Sequence, residues 1–264
     1  MMYPASKDDL RGMRMRANEI FKGVMGPCIG VSLLYTVVSL ALSCLTLFIS
    51  NTLLYTVTLL VLAFIAASLQ LGLCEYFLRL RKGEHPSAKL LLRYFDQDSL
   101  PLVAVLALIS WAAGMIGSLL SGLSFFLQIV VSAFVFLVPY LYVLRGKGKP
   151  TDLLREGIQR MQGRWEMYLR IILRQYLYAL AASVVVALLL TLVMMGLSAA
   201  GLAAFFATEA GYIVSMVIAV ILAVAVSAFV SAYFQVYLAE FAASTLGDVH
   251  SSVSEKDEAS DFIR

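Results

Sequence analysis

Charge, histidine and cysteine are what this sequence has least of. Only 14% of its 264 residues are charged, and it contains two histidines and three cysteines. Four stretches hold no charge at all: Val24 to Cys74, Leu100 to Leu144, Gln175 to Thr208 and Ala210 to Ala239. A soluble domain spreads charge over its surface, so gaps of this length exclude one. His85 and His250 both lie in polar segments, which excludes a paired-histidine metal motif and leaves no imidazole to activate a nucleophile. Cys28, Cys44 and Cys74 stand in apolar surroundings, form no CxxC pair and are odd in number. They read as buried free thiols, with neither a disulfide framework nor a metal site. No phosphate-binding glycine loop and no serine triad occurs. The expectation is a protein that is not an enzyme, with no cofactor, no metal and no nucleic-acid partner.

What the sequence does have is apolar length. Hydrophobic residues make up 61% of the chain, and the mean hydropathy is +0.87. A helix needs ~20 apolar residues to cross a bilayer core. The first two uncharged blocks are long enough for two spans each, and the last two hold one each. The expected fold class is all-α: a polytopic membrane protein with six transmembrane helices as three hairpins, each preceded by a cytoplasmic amphipathic helix. The spans are expected at 24–50, 53–80, 101–120, 125–144, 173–200 and 212–239, in a single membrane domain over 1–244. The polar tail 245–264 is expected to be disordered. Lys7, Asp8, Asp9, Arg11, Arg14 and Arg16 precede the first apolar run, which has no clear small-residue cleavage site. That run is therefore expected to remain as an anchor and not to leave as a signal peptide.

Three segments suit the membrane surface. Residues 8–22 put Leu10, Met13, Ala17, Ile20 and Phe21 at helical spacing, with Arg11, Arg14 and Glu19 elsewhere around the helix. Over 87–96, Ser87 can cap a helix whose apolar face is Ala88, Leu91, Leu92 and Phe95. Over 151–163, Leu154, Ile158 and Met161 share one side, and Trp165 and Tyr168 then suit the interfacial aromatic belt. The basic stretch from Tyr140 to Arg174, YLYVLRGKGKPTDLLREGIQRMQGRWEMYLRIILR, joins two uncharged blocks. An earlier stretch resembles it: Tyr76, Leu80, Arg81 and Pro86 align with Tyr140, Leu144, Arg145 and Pro150 at a constant offset of 64. Either the hairpin unit repeats three times, or any six-span chain made of hairpins looks three-fold.

If the N-terminus is cytoplasmic, all twenty Lys and Arg residues fall on the cytoplasmic side, and Glu209 is the sole charge opposite. The positive-inside rule then places both termini inside.

Carboxylates within apolar stretches are functional candidates by default. Glu75 and Glu240 occupy equivalent places near the ends of spans 2 and 6, while Arg170 and Arg174 enter span 5 at a similar depth. With Gln70 and Gln235 they form the candidate intramembrane polar or substrate site. The bland reading is that the charges are ion pairs fixing helix packing, and that the glutamines bond between helices. Arg79, Arg81, Lys82, Arg145, Lys147 and Lys149 are candidate lipid-phosphate contacts, or serve only as topology signals. The run GPCIG, Gly26 to Gly30, fits a small-xxx-small helix contact, because a nucleophile elbow at Cys28 would need a histidine partner.

The basic amphipathic start ending in Phe21-Lys22-Gly23, the segment GLCEYFLRLRKGE and the segment PTDLLREGIQRMQGRWEMYLRI together resemble a bacterial six-span membrane family catalogued as domain of unknown function 975. The likeness runs from about Leu10 to Ala243. It implies a bacterial cytoplasmic membrane location and six helices, and supplies no substrate or catalytic residue. The functional expectation is binding or transport of a lipid or other amphiphile. The alternative is a non-catalytic accessory or structural subunit. Expected partners are membrane lipids, with a membrane-protein partner or a homo-oligomer under the alternative.

Overall fold

The computed structural model describes residues 7–119, 124–146, 148–197 and 208–247. Among them every regular element is helical, the α-helices being α1 Lys7–Gly23, α2 Met25–Leu45, α3 Thr52–Arg81, α4 Leu100–Leu119, α5 Ser124–Val135, α6 Leu137–Arg145, α7 Pro150–Met161, α8 Trp165–Leu197 and α9 Glu209–Leu246. Six spans are long and apolar enough to cross a membrane, the fourth built from α5 and α6 together. The protein is a multi-pass membrane protein.

Local chemistry sets the breaks. Pro27 has no N–H to offer the Gly23 carbonyl and its ring crowds that carbonyl, so the chain breaks between α1 and α2. Asn51 caps α3, its Oδ1 accepting from the N–H groups of Leu53 and Leu54 at 3.0 and 3.1 Å. Pro139 likewise cannot bond the Val135 carbonyl. The span expected to be continuous over 125–144 is accordingly split at Phe136 into α5 and α6. Gly146, at φ 74°, closes α6 with a left-handed cap, its N–H bonding the Tyr142 carbonyl at 2.8 Å. Pro150 then opens α7 at its first position.

Three boundaries differ from the sequence reading. The segment expected as a surface helix over 87–96 is a short 3-10 turn, Ala88–Leu92, capped by the Ser87 hydroxyl. This turn lies on Gly72 of α3, where a Cβ would stand 2.5 Å from the Leu90 carbonyl oxygen and the Leu91 Cα. So close a backbone approach leaves no room for a longer cylinder. The second boundary is at the C-terminus, where α9 continues through Thr245 and Leu246, both buried, past the expected start of the tail. The rest of that tail lies outside the described residues. The third concerns span 5, which is part of a helix that starts at Trp165, ahead of the expected 173. Among the thiols, Cys28 and Cys74 are buried and free as expected, whereas Cys44 is exposed because it lies on the outward side of α2.

The core sits at the basic end. α1 turns Leu10, Met13, Ala17 and Phe21 inward. Phe21 meets Phe229 and Tyr233 of α9 edge-on at 5.8 and 5.6 Å. Phe136, Tyr168 and Phe241 stack where α5 and α6 meet α8 and α9. α2 packs chiefly on α9, and α3 chiefly on α4. Toward the other end the helices expose apolar side chains such as Leu47, Phe48 and Leu53, the surface that lipid covers.

Candidate functional site

Two buried carboxylates, each held by two arginines, mark the basic end. Glu75 stands on the half of α3 that is buried on nearly every side. Its Oε1 accepts from Arg79, one turn along, at 2.6 Å and from Arg93 of the 88–99 connection at 2.5 Å. Its Oε2 is buried with no hydrogen-bond partner among the described residues. Beside it lies Tyr94, whose phenol is pushed up by burial first and by the Glu75 carboxylate second. Glu240 of α9 accepts from Arg16 of α1 at 2.6 Å on one oxygen and from Arg81 of α3 on the other. One carboxylate thus ties three helices. A third, more exposed cluster joins α6 to α7: Arg145 bonds both oxygens of Glu156 at 2.5 and 2.6 Å, and Arg160 adds a contact at 2.8 Å.

These contacts separate the residues nominated from sequence. Glu75 and Glu240 stand in different clusters, each with its charge compensated. Arg170 pairs with exposed Glu166 on its own helix and reaches neither carboxylate. Arg174 meets the Tyr237 hydroxyl. Gln70 is exposed and Gln235 half-buried, and neither makes a hydrogen bond among the described residues. Of the candidate phosphate contacts, Arg79, Arg81 and Arg145 are engaged by carboxylates, Lys82 and Lys149 are exposed, and Lys147 lies outside the described residues. Arg16 and Arg93 were not nominated. Arg16 stands 224 positions from the carboxylate it binds, a separation no local pattern reveals.

A second feature lies between α2, α3 and α4: a groove of about 610 Å³. Leucine and alanine side chains such as Leu42, Leu59, Leu62 and Ala66 form much of its wall, and hydroxyls interrupt them. Ser43, Thr46, Thr56 and Ser118 each donate to a backbone carbonyl three or four residues earlier, which leaves their oxygens as acceptors. Trp111 also lines the groove, and its Nε1–H is buried with no partner among the described residues. A tryptophan midway along a span, away from either interface, is the sequence signal that could have located this site. A smaller groove of about 390 Å³, nearly all apolar, lies where α5, α7 and α8 meet at Ala133, Met161 and Trp165.

No protein-family model matches the chain, and neither a curated protein nor a solved structure matches it.

Proposed function

We propose that this protein binds a lipid or other amphiphile in the groove between α2, α3 and α4, as a carrier or transporter in a bacterial cytoplasmic membrane with both termini inside. The observation that carries the reading is the groove itself, in which leucine and alanine side chains are interspersed with a row of hydroxyl acceptors. An apolar chain packs on the leucines and alanines, and a polar group that can donate meets the hydroxyl acceptors. In the same proposal the two arginine-held glutamates are structural clasps, and the chain is no enzyme. The placement of the three segments that resemble the family of unknown function 975 belongs to it too.

The test counts lipids that survive mild detergent release, by native mass spectrometry. Gly114 lines the groove with open space where a Cβ would stand, so Gly114→Trp fills the groove without a backbone clash. The wild type is expected to retain a stoichiometric amphiphile, and the variant to lose it at unchanged thermal stability. Equal retention by both refutes the reading.

The accessory-subunit reading has one observation in its favour. The most apolar windows of α8 and α9 are almost wholly unburied, and small residues such as Ala187, Ala219 and Ala223 line a depression between them. Co-release of a stoichiometric protein in the same experiment, with no retained amphiphile, would favour it.

A further inference from the structure

At the basic end α1, α8 and α9 enclose a cavity of about 170 Å³ lined by Arg14, Arg174, Tyr178, Tyr233, Phe234 and Tyr237. No carboxylate among the described residues lines it. Arg16, Arg79, Arg81, Arg93, Arg145, Arg160 and Arg170 each meet an acidic side chain, whereas neither arginine of this cavity does so among the described residues. Arg14 instead meets the Tyr233 hydroxyl, and Arg174 meets that of Tyr237. Tyr237 donates its own proton to the Leu10 carbonyl at 3.4 Å, which fixes the ring against α1. Two exposed guanidinium charges therefore line one small aromatic cavity whose other described polar groups are neutral phenols. Like charges so placed repel, and the arrangement becomes favourable when an anion joins them.

The depth of the site narrows the choice of anion. Arg174 follows Trp165, the first residue of α8, by nine positions, or roughly 13 Å at the helical rise. A guanidinium at that depth reaches toward the headgroup layer. The wall then changes character along α8 and α9. Tyr178 borders both the cavity and an apolar groove of about 460 Å³ that continues over Ala182, Val185, Ala225 and Phe229. Cations at the interface followed by a small-residue groove running into the membrane match one kind of molecule, an anionic head on an acyl chain.

We propose that Arg14 and Arg174 bind the phosphate of an anionic phospholipid whose acyl chain lies in the groove between α8 and α9. Guanidiniums hold phosphate oxygens through paired N–H donors, a geometry lysine cannot copy. The site gives the amphiphile-binding reading a substrate class and rests on it, yet lies apart from the groove beside Trp111.

The experiment is a titration of the purified full chain in detergent with phosphatidylglycerol, phosphatidylcholine or inorganic phosphate, read by native mass spectrometry. The Arg14→Gln/Arg174→Gln double variant is compared with Arg155→Gln, an exposed arginine of α7 outside the cavity. Gel filtration confirms that each variant is folded. The wild type and Arg155→Gln are expected to retain phosphatidylglycerol at least tenfold better than phosphatidylcholine, and the double variant to lose that preference. Ala182→Phe, which obstructs the acyl groove and leaves the arginines in place, is expected to weaken retention as well. Retention by the double variant equal to wild type overturns the site. Displacement of the lipid by millimolar inorganic phosphate overturns the lipid assignment. Gly114→Trp separates the two proposals: lipid lost there and kept in the double variant refutes the arginine site alone, and the reverse pattern refutes the groove beside Trp111 alone.

Discussion

Replacing Glu240 by Gln separates a structural clasp from a working carboxylate. The side chain is buried on α9 and receives Arg16 from α1 and Arg81 from α3, so it fastens the surface helix and the second span to the last. A hydrogen bond to a charged group contributes about 1.5–3 kcal/mol, and breaking a buried pair costs about 3–5 kcal/mol when a charge is stranded. Here the arginines are not stranded, since Arg16 is 58% exposed and Arg81 35% exposed at their side chains. Both can turn to water or headgroups, which lowers the expected loss to about 2 kcal/mol. For a chain of this size that corresponds to a fall in Tm of roughly 4–8 °C. The assay is thermal unfolding of the detergent-solubilised protein by intrinsic fluorescence, with Arg170→Gln as control. That control breaks an exposed pair within one helix and should shift Tm by no more than roughly 2 °C. An unchanged Tm in Glu240→Gln, together with lost amphiphile retention, would refute the clasp and make Glu240 a functional group.

Gly72→Ala drives a methyl group into the backbone of Leu90 and Leu91 and shifts Arg93 away from Glu75, for an expected loss of about 2–3 kcal/mol by thermal unfolding. Gly30→Ala, with open space at the same atom, should be neutral or slightly stabilising. An impermeant maleimide should label Asn51→Cys from outside intact cells and leave Lys82→Cys unlabelled; the opposite pattern would invert the proposed orientation. A membrane-permeant maleimide should label Cys44 in the folded protein, while Cys28 and Cys74 react only after denaturation, as mass spectrometry of peptides would show.

The six spans were legible because hydropathy and charge are the bilayer's own criteria, and each helix is satisfied by its own backbone bonds. Capping was legible where a residue acts locally, as at Ser87. The 88–92 turn was not. Its length depends on how closely it approaches Gly72, a contact between segments that periodicity does not record. The same limit applies to the polar residues. Arg79 could be paired with Glu75 from the sequence because the two lie one helical turn apart. Arg16 and Glu240 meet only because α1 folds back onto α9, and Arg14 and Arg174 share a cavity for the same reason. The glutamines misled for a related cause: polarity within a span predicts a partner, but Gln70 faces outward and has none among the described residues. Packing between elements, invisible to a local pattern, decides these positions.

Photo-cross-linking reports whether an amphiphile occupies the groove beside Trp111. Membranes carrying the protein would be equilibrated with a lipid bearing a photoactivatable group on its acyl chain, irradiated, and the labelled peptides mapped. Label should concentrate on the α4 peptide containing Trp111 and Gly114 and on the facing residues of α2, and Gly114→Trp should reduce it. Label spread over the exposed faces of α8 and α9, with no enrichment at α4 and no response to Gly114→Trp, would contradict occupancy of the groove.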